Sequence, residues 1–504
     1  MESVAALGEP HEAGEIPMTP TNPDGLDLSA LAECISPQFL RENFILPLSF
    51  APDHLIVAMA PPVDQTLVEA LVLASGRRVT VQTLDKGRIG AQMMRLFSDQ
   101  PEDAAQPDGE DDVERLADLA SEAPVVRLVS HLIEEAVRLG ASDIHIEPFP
   151  DRLAVRLRID GVLRDLPSPP FSFARAAVSR IKILANLNIA ERRLPQDGRV
   201  SQLVLGHALD LRVSTMPTVH GESAVIRLLD RSADVRHLSG LGLRSEDEDA
   251  LRRVMDAPNG MVLVTGPTGS GKTTTLYTAL SLIDAGRRKV LTIEDPVEYH
   301  MARVNQVQVR PQIGLSFAAV LRSLMRQDPD VIMVGEMRDA ETADIAVHAS
   351  LTGHLVLSTL HTNSAAGAIT RLIDMGVEPF LLTSTLRLVI GQRLVRTLCP
   401  HCKYSRPPTA EEQHLLEPVP VVTLYQAAGC DACGGTGYKG RLGLFELMSL
   451  DSRLRRLTLE RAGSDLIEAA AREAGMRSLW EDGIAKVRSG LTTLEEVRRV
   501  VDLS

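Results

Sequence analysis

Three glycines, a lysine and a hydroxyl fall at the spacing of a phosphate-binding loop in Gly266-Pro267-Thr268-Gly269-Ser270-Gly271-Lys272-Thr273. The apolar run Met261-Val262-Leu263-Val264 precedes it, and Thr274-Thr275-Leu276-Tyr277-Thr278-Ala279-Leu280 follows as a helix. Strand, glycine-rich turn and helix together aim backbone N–H groups and the positive end of a helix at phosphate oxygens. Lys272 supplies a cation for the outer phosphates, and the Thr273 hydroxyl can ligate magnesium. The expected nucleotide contacts therefore run from Gly266 through Thr274. A Gly/Ser-rich surface turn is the plain alternative, but it explains neither the matched fixed positions nor the flanks.

Hydrolysis needs an acid and a group to orient water, and three apolar runs end in candidates. Val331-Ile332-Met333-Val334 ends in Gly335-Glu336, and Val290-Leu291-Thr292-Ile293 ends in Glu294-Asp295-Pro296-Val297-Glu298. Glu336 is the acidic partner for magnesium or for the attacking water. Glu294 and Glu298 are candidates for orienting or deprotonating that water, and the sequence does not choose between them. Leu355–Leu360 is flanked by His354 and His361. A histidine beside a strand is most often a satisfied structural group, yet His361 lies at the carboxyl end and can reach a γ-phosphate. Ligands in doubly wound sheets sit at such ends.

Cys399-Pro400-His401-Cys402 and Cys430-Asp431-Ala432-Cys433 form two C-x-x-C knuckles with 27 residues between the inner cysteines. Four thiolates match the closed tetrahedral shell of structural zinc; idle reduced thiols or a redox pair are the alternatives. The fifth cysteine, Cys34, stands apart.

These groups need elements to hold them, and 504 residues with 44% hydrophobic content can supply several cores. The net charge of −14 is uneven. Residues 1–27 carry six acids and no Lys or Arg, and residues 99–122 carry ten acids against Arg115 alone. Those two stretches hold −15 between them, leaving the rest near +1. Nothing concentrates basic charge as a nucleic-acid partner requires. No apolar run reaches the ~20 residues of a membrane span, and the acidic start lacks a signal-peptide pattern. The expectation is a soluble cytoplasmic protein that binds no nucleic acid and makes no direct membrane span.

Seven segments are expected. Residues 1–27 are a Pro-containing disordered tail. Residues 28–97 form a small α/β docking module, with strands Leu55–Met59 and Arg78–Val81 around a helix Val63–Ala74. An acidic linker follows over 98–122. Residues 123–235 form a second α/β domain with a mostly antiparallel sheet. It opens on an amphipathic helix (Val125, Leu128, Val129, Leu132, Ile133, Ala136, Val137) stopped by Gly140, and turns a hairpin at Asp160-Gly161. Its Arg199, Arg212 and Arg227 read plainly as solvated strand-face charges. Alternating strands and helices over 236–398 predict a mostly parallel sheet. The cysteine insert covers 399–440, and 441–504 is helical, with Ser464 capping one helix and Thr492-Thr493-Leu494-Glu495 boxing another.

The combination resembles the hexameric secretion ATPases of type II secretion and type IV pilus machines. The likeness rests on Gly266–Thr273, on Thr292–Glu298 (the family's Asp box), on Leu321–Asp339 (its Walker B region) and on Thr352-Gly353-His354 through His361-Thr362-Asn363 (its His box). Ala141–Pro148 and the tetracysteine insert add to it. It spans about residues 123–450 and is looser over 28–97. It implies a RecA-like P-loop core, a PAS-like 123–235 domain, a homohexamer and magnesium-dependent ATP hydrolysis at subunit junctions. Arg212 and Arg227 match family arginines that approach the γ-phosphate, which would stabilise charge on the transferring group. The tetracysteine points to assembly rather than retraction ATPases, and the short N-terminal module to type II secretion over pilus extension. The implied partners are an inner-membrane secretion component docking on 28–97 and the inner-membrane platform protein. A nucleic-acid translocase on the same core is the competing class.

Overall fold

The computed structural model describes residues 43–51, 53–85, 123–230, 238–416 and 422–501, with a few isolated positions between. The acidic tail 1–27, Cys34 and most of the 98–122 linker lie outside the described residues. The chain divides into two compact units, residues 1–108 and 109–504.

In the first unit, the strand His54–Met59 pairs antiparallel with Leu46–Phe50 and parallel with Arg78–Thr83. The helix Gln65–Ser75 makes the crossover that a parallel pair requires. Ile45, Leu55, Val57 and Leu71 fill the core.

The second unit begins with a six-stranded antiparallel sheet in the order Val162–Asp165, Leu153–Ile159, Ala141–Pro148, Gly221–Asp230, His207–Thr218, Gln196–Val204. Leu153, Val155, Leu157, Leu209, Leu211 and Val213 alternate along their strands and pack beneath the helices Ala123–Arg138 and Ala174–Leu184. Gly140 leaves the first helix at φ 66°, and Asp160 and Gly161 turn their hairpin at φ 49° and 86°. Two positive φ values are what a two-residue hairpin of right-handed twist demands.

The larger sheet has seven strands, ordered Asn305–Gln308, Val290–Glu294, Val331–Val334, Leu355–Leu360, Gly260–Thr265, Leu386–Leu398, Tyr438–Ser449. All pair parallel except the last, which runs antiparallel to Leu386–Leu398. Gly260–Thr265 and Leu355–Leu360 are buried at every residue because an apolar layer covers each face. The strand Tyr438–Ser449 corrects the expected helical region 441–504: the chain leaves the core at the cysteine insert and returns to its edge before the helices begin.

Two expected caps also differ. The helix Ser464–Glu473 has Gly463 at its N-cap, without a side-chain cap, while the Ser464 hydroxyl donates to Asp465. The last helix, Leu494–Val500, is capped by Thr493, which accepts from the Glu496 N–H. The expected pair Thr492 and Glu495 forms no box, because the Thr492 hydroxyl donates to the Arg396 carbonyl at 2.8 Å and the cap moves one residue on.

Within this unit the apolar cluster of residues 128–228 shares no member with the clusters of the large sheet. The contacts between them that stand out are polar: Arg212 with Glu298, Arg164 with the Gly434 carbonyl, and Asp160 with the Gly440 N–H and Arg441.

Candidate nucleotide site and metal centre

The phosphate loop leaves the buried strand Gly260–Thr265 and enters the helix Lys272–Leu280. Two of its glycines are forced by neighbours. Gly266 holds φ 152°, and a Cβ there would lie 2.4 Å from the Gln392 carbonyl oxygen. Gly271 holds φ 86°, and its Cβ would meet Gln392 Nε2 at 2.9 Å. Gly271 is the N-cap and offers no side chain, so the first N–H groups of the helix have no side-chain cap.

Lys272 is 8% exposed, and its Nζ donates to the carbonyls of Gly266 at 2.7 Å and Pro267 at 3.0 Å. Burial brings its ammonium down to about 8, opposed by Glu336 and reinforced by Arg393. Thr273 is exposed at the helix start. Ser270 Oγ is shielded from solvent with no hydrogen-bond partner. Uncapped N–H groups, a buried cation and an orphan hydroxyl fit a polyphosphate. Pro267 to Ser270 line a cavity of ≈ 690 Å³ with Arg158, Arg227, Arg393, Arg441 and Arg499.

Glu336 follows its strand as expected. Its carboxylate takes Arg338 at 2.5 Å and lies 3.4 Å from His361 Nε2. Thr359 Oγ1 holds the Gly335 carbonyl at 2.7 Å, and the Met337 N–H reaches the Thr359 carbonyl. Adjacent parallel strands thus place Glu336 and His361 side by side. His354 sits at the opposite end of its strand, bonded through Nδ1 to the Ala349 carbonyl.

The two other glutamates part company. Glu294 is 3% exposed, and its carboxylate is taken up by Tyr277 Oη, Thr292 Oγ1 and Gln306 Nε2. The structure therefore does not present Glu294 as a free base. Burial and Glu294 together push the Tyr277 hydroxyl above its ordinary value. Glu298 is half-buried and faces Arg212 at 3.0 Å.

The two arginines of the antiparallel sheet also differ. Arg227 lines the cavity across from the phosphate loop, bonded to Asp143 at 2.9 Å. Arg212 spans from that sheet to Glu298 instead and is not among the cavity's lining residues. Arg199 pairs with Asp210 at 2.6 Å.

The four insert cysteines converge. Cys399 and Cys430 Sγ are 3.9 Å apart, Cys402 and Cys433 3.8 Å, and Cys430 and Cys433 3.8 Å. Metal–sulfur bonds of about 2.3 Å in a tetrahedron give S···S of about 3.8 Å. All four ligand atoms lie within 4.8 Å of one another. The N–H groups of Cys430 and Gly437 reach Cys433 Sγ; burial opposes them, yet the thiol is held down at about 6. Such N–H···S bonds favour thiolates, the form a metal takes. A closed four-sulfur set with no open position fits structural zinc.

The sequence profile of the type II/IV secretion system protein family matches residues 118–499, and that of the MshEN domain residues 15–103. The chain belongs to the type II/IV secretion system family. Type II secretion system protein E of Xanthomonas campestris pv. campestris is 50% identical over 481 residues, covering 93% of this chain and 85% of that protein. The type IV pilus assembly ATPase PilB of Myxococcus xanthus is 42% identical over 486 residues, covering 93% and 86%. The higher identity sets this chain among the type II secretion ATPases. The ATPase DotB of Legionella pneumophila shares the fold, with a TM-score of 0.55 at 23% identity over 73% of this chain and 94% of that one. Among the described residues, no helix of this secretion ATPase is long and apolar enough to cross a membrane.

One part of the ATPase site escaped the sequence reading. Gly391-Gln392-Arg393, in the strand Leu386–Leu398, braces the phosphate loop from beside it. Gln392 Oε1 accepts from Thr275 Oγ1 at 2.7 Å, and a Cβ on Gly391 would lie 2.4 Å from Glu446 Oε1. Glu446, from the edge strand, accepts the Ala365 N–H at 2.6 Å, and burial raises its carboxyl above the ordinary range. The available signal was a polar pair directly after a glycine, between the apolar runs Leu388-Val389-Ile390 and Leu394-Val395.

Proposed function

We propose that this protein is the magnesium-dependent ATPase motor of a type II secretion machine, powering pseudopilus assembly and the export of folded proteins across the outer membrane. Convergence carries the reading: the phosphate loop, Lys272, Glu336 and His361 gather at the carboxyl ends of neighbouring strands, and Arg227 faces the loop from another sheet.

In this reading the N–H groups of Gly266–Thr274 hold the phosphates and Lys272 neutralises the outer ones. Lys272 exchanges its two carbonyl partners for phosphate oxygens as nucleotide enters. Thr273 and Glu336 would hold magnesium, which would supply positive charge against the outer phosphates. Glu298 orients the attacking water. Glu294 keeps the strand end and the phosphate-loop helix in register through Tyr277. His361 touches the γ-phosphate beside Glu336. Arg227 and Arg212 move from their carboxylate partners onto the transferring phosphoryl group as the 123–235 domain closes. A polar, largely apolar-free boundary suits such motion, because no shared core has to break.

Membership of the family supports the remaining assignments. The chain works as a homohexamer at the cytoplasmic face of the inner membrane, through a secretion component docked on residues 28–97 and the platform protein. Residues 98–122 serve as its linker, 123–235 as the moving domain and 236–398 with the returning strand as the motor core. The 399–440 insert holds zinc through Cys399, Cys402, Cys430 and Cys433.

Lys272→Ala and Glu336→Gln test the site. The first should abolish nucleotide binding and turnover; the second should bind nucleotide yet lose about a hundredfold or more in turnover. Hydrolysis by both at the parental rate refutes the assignment.

A further inference from the structure

Arg393 sits where two loops of the nucleotide site meet. Its Nη2 donates to the Asn363 carbonyl at 2.8 Å, and its Nη1 to the Gln392 carbonyl at 3.1 Å. Asn363 closes the segment that begins with His361, whose ring lies 3.4 Å from Glu336. The same Nη1 lies 3.2 Å from where a Cβ on Gly266 would project, so the guanidinium abuts the first residue of the phosphate loop. On the other side, Thr265 Oγ1 accepts the Thr362 N–H at 3.0 Å. The His361–Asn363 segment is thus tied at two points to the strand and wall that carry the phosphate loop. Arg393 also lines the cavity with Arg227.

The side-chain type matters for this geometry. A planar guanidinium serves two acceptors in a fixed fork, whereas a lysine ammonium is a flexible point charge. The Gln392 carbonyl belongs to Arg393's own strand, so its bond to Nη1 fixes the guanidinium plane and aims Nη2 at the Asn363 carbonyl, which a single ammonium nitrogen cannot reproduce.

We propose that Arg393 is a positioning residue for hydrolysis, fastening the His361–Asn363 loop to the strand that braces the phosphate loop so that His361 and Glu336 stay in register with the outermost phosphate. The proposal rests on the nucleotide-site reading above. Arg393 supports the geometry of the reacting end and adds little to ground-state binding, because the N–H groups of the loop and Lys272 already hold the bound phosphates.

The test is steady-state ATP hydrolysis and ADP binding by the full-length chain carrying Arg393→Lys or Arg393→Gln, with Lys272→Ala alongside. Both Arg393 variants should lose about tenfold to a hundredfold in kcat, with KM and ADP affinity within about threefold of the parent. Lysine should not rescue, since it keeps the charge but not the fork. Parental kcat in Arg393→Lys overturns the bridge, because charge alone would then suffice. A raised KM with unchanged kcat also overturns it, assigning Arg393 to ground-state phosphate binding. If Arg393→Gln does not fold, Arg393→Lys carries the test on its own. Full activity of Lys272→Ala would instead strike the nucleotide-site reading, so the two failures are separate.

Discussion

Raising the pH should weaken nucleotide binding through Lys272, over a window set by burial. The ordinary lysine value of 10.5 falls to about 8 here, chiefly because burial disfavours the ammonium. That drop corresponds to a cost of order 3 kcal/mol for keeping the charge in the folded chain. The sign follows from proton counting. Below pH 8 the folded chain carries the whole cost. Between 8 and 10.5 the folded lysine releases its proton before the unfolded one does, so stability without nucleotide rises. A bound polyphosphate favours the ammonium, so binding above pH 8 must take up a proton. ADP affinity should be level to about pH 7.5, about elevenfold weaker at pH 9 and about tenfold weaker per unit beyond. Calorimetric titration in two buffers of different ionisation enthalpy reads both affinity and proton uptake. Equal affinity at pH 7.5 and 9.5, or no uptake at pH 9, would refute the reasoning.

Two further outcomes test other parts of the molecule. Protein purified without chelator should carry about one zinc per chain. Stripping it, or Cys430→Ser, should raise hydrogen exchange across 404–430 while Gly260–Thr265 and Leu355–Leu360 stay protected. The three-residue strands Tyr404–Arg406 and Leu424–Gln426 pair with each other in a two-stranded sheet next to the two cysteine knuckles. Unchanged exchange in metal-free protein would show that the insert stands without metal. Arg212→Ala should lower turnover about a hundredfold or more with nucleotide affinity largely kept; unchanged turnover would leave Arg212 as a strand-face charge paired with Glu298.

Local pattern made much of this architecture legible in advance. Period-two alternation marked the antiparallel strands around Leu153–Ile159, and continuous apolar runs marked the buried parallel strands. The phosphate loop could be read because its requirements are local: positive φ, a helix start and one cation within eight residues. The four cysteines were legible for a related reason, since each knuckle is local and only their pairing is not. Where local pattern misled, a distant partner intervened. Thr492 donates its hydroxyl to the Arg396 carbonyl, 96 positions away, so the expected capping box never closes. Tyr438–Ser449 pairs with a strand that precedes the insert, and no nearby residue announces that return.

By itself the amino-acid sequence determined a nucleotide site, a four-thiol centre and the order of sheet types, because each depends on neighbours along the chain. Tertiary structure alone decided which charged groups share a space. It enclosed Glu294 behind Tyr277, set His361 against Glu336, turned Arg227 toward the loop and Arg212 toward Glu298, and brought Arg393 between the two loops. Parallel strands bring residues far apart in sequence to one edge of a sheet. Burial, which no single residue specifies, then moves the Lys272 charge into the range where nucleotide can control it.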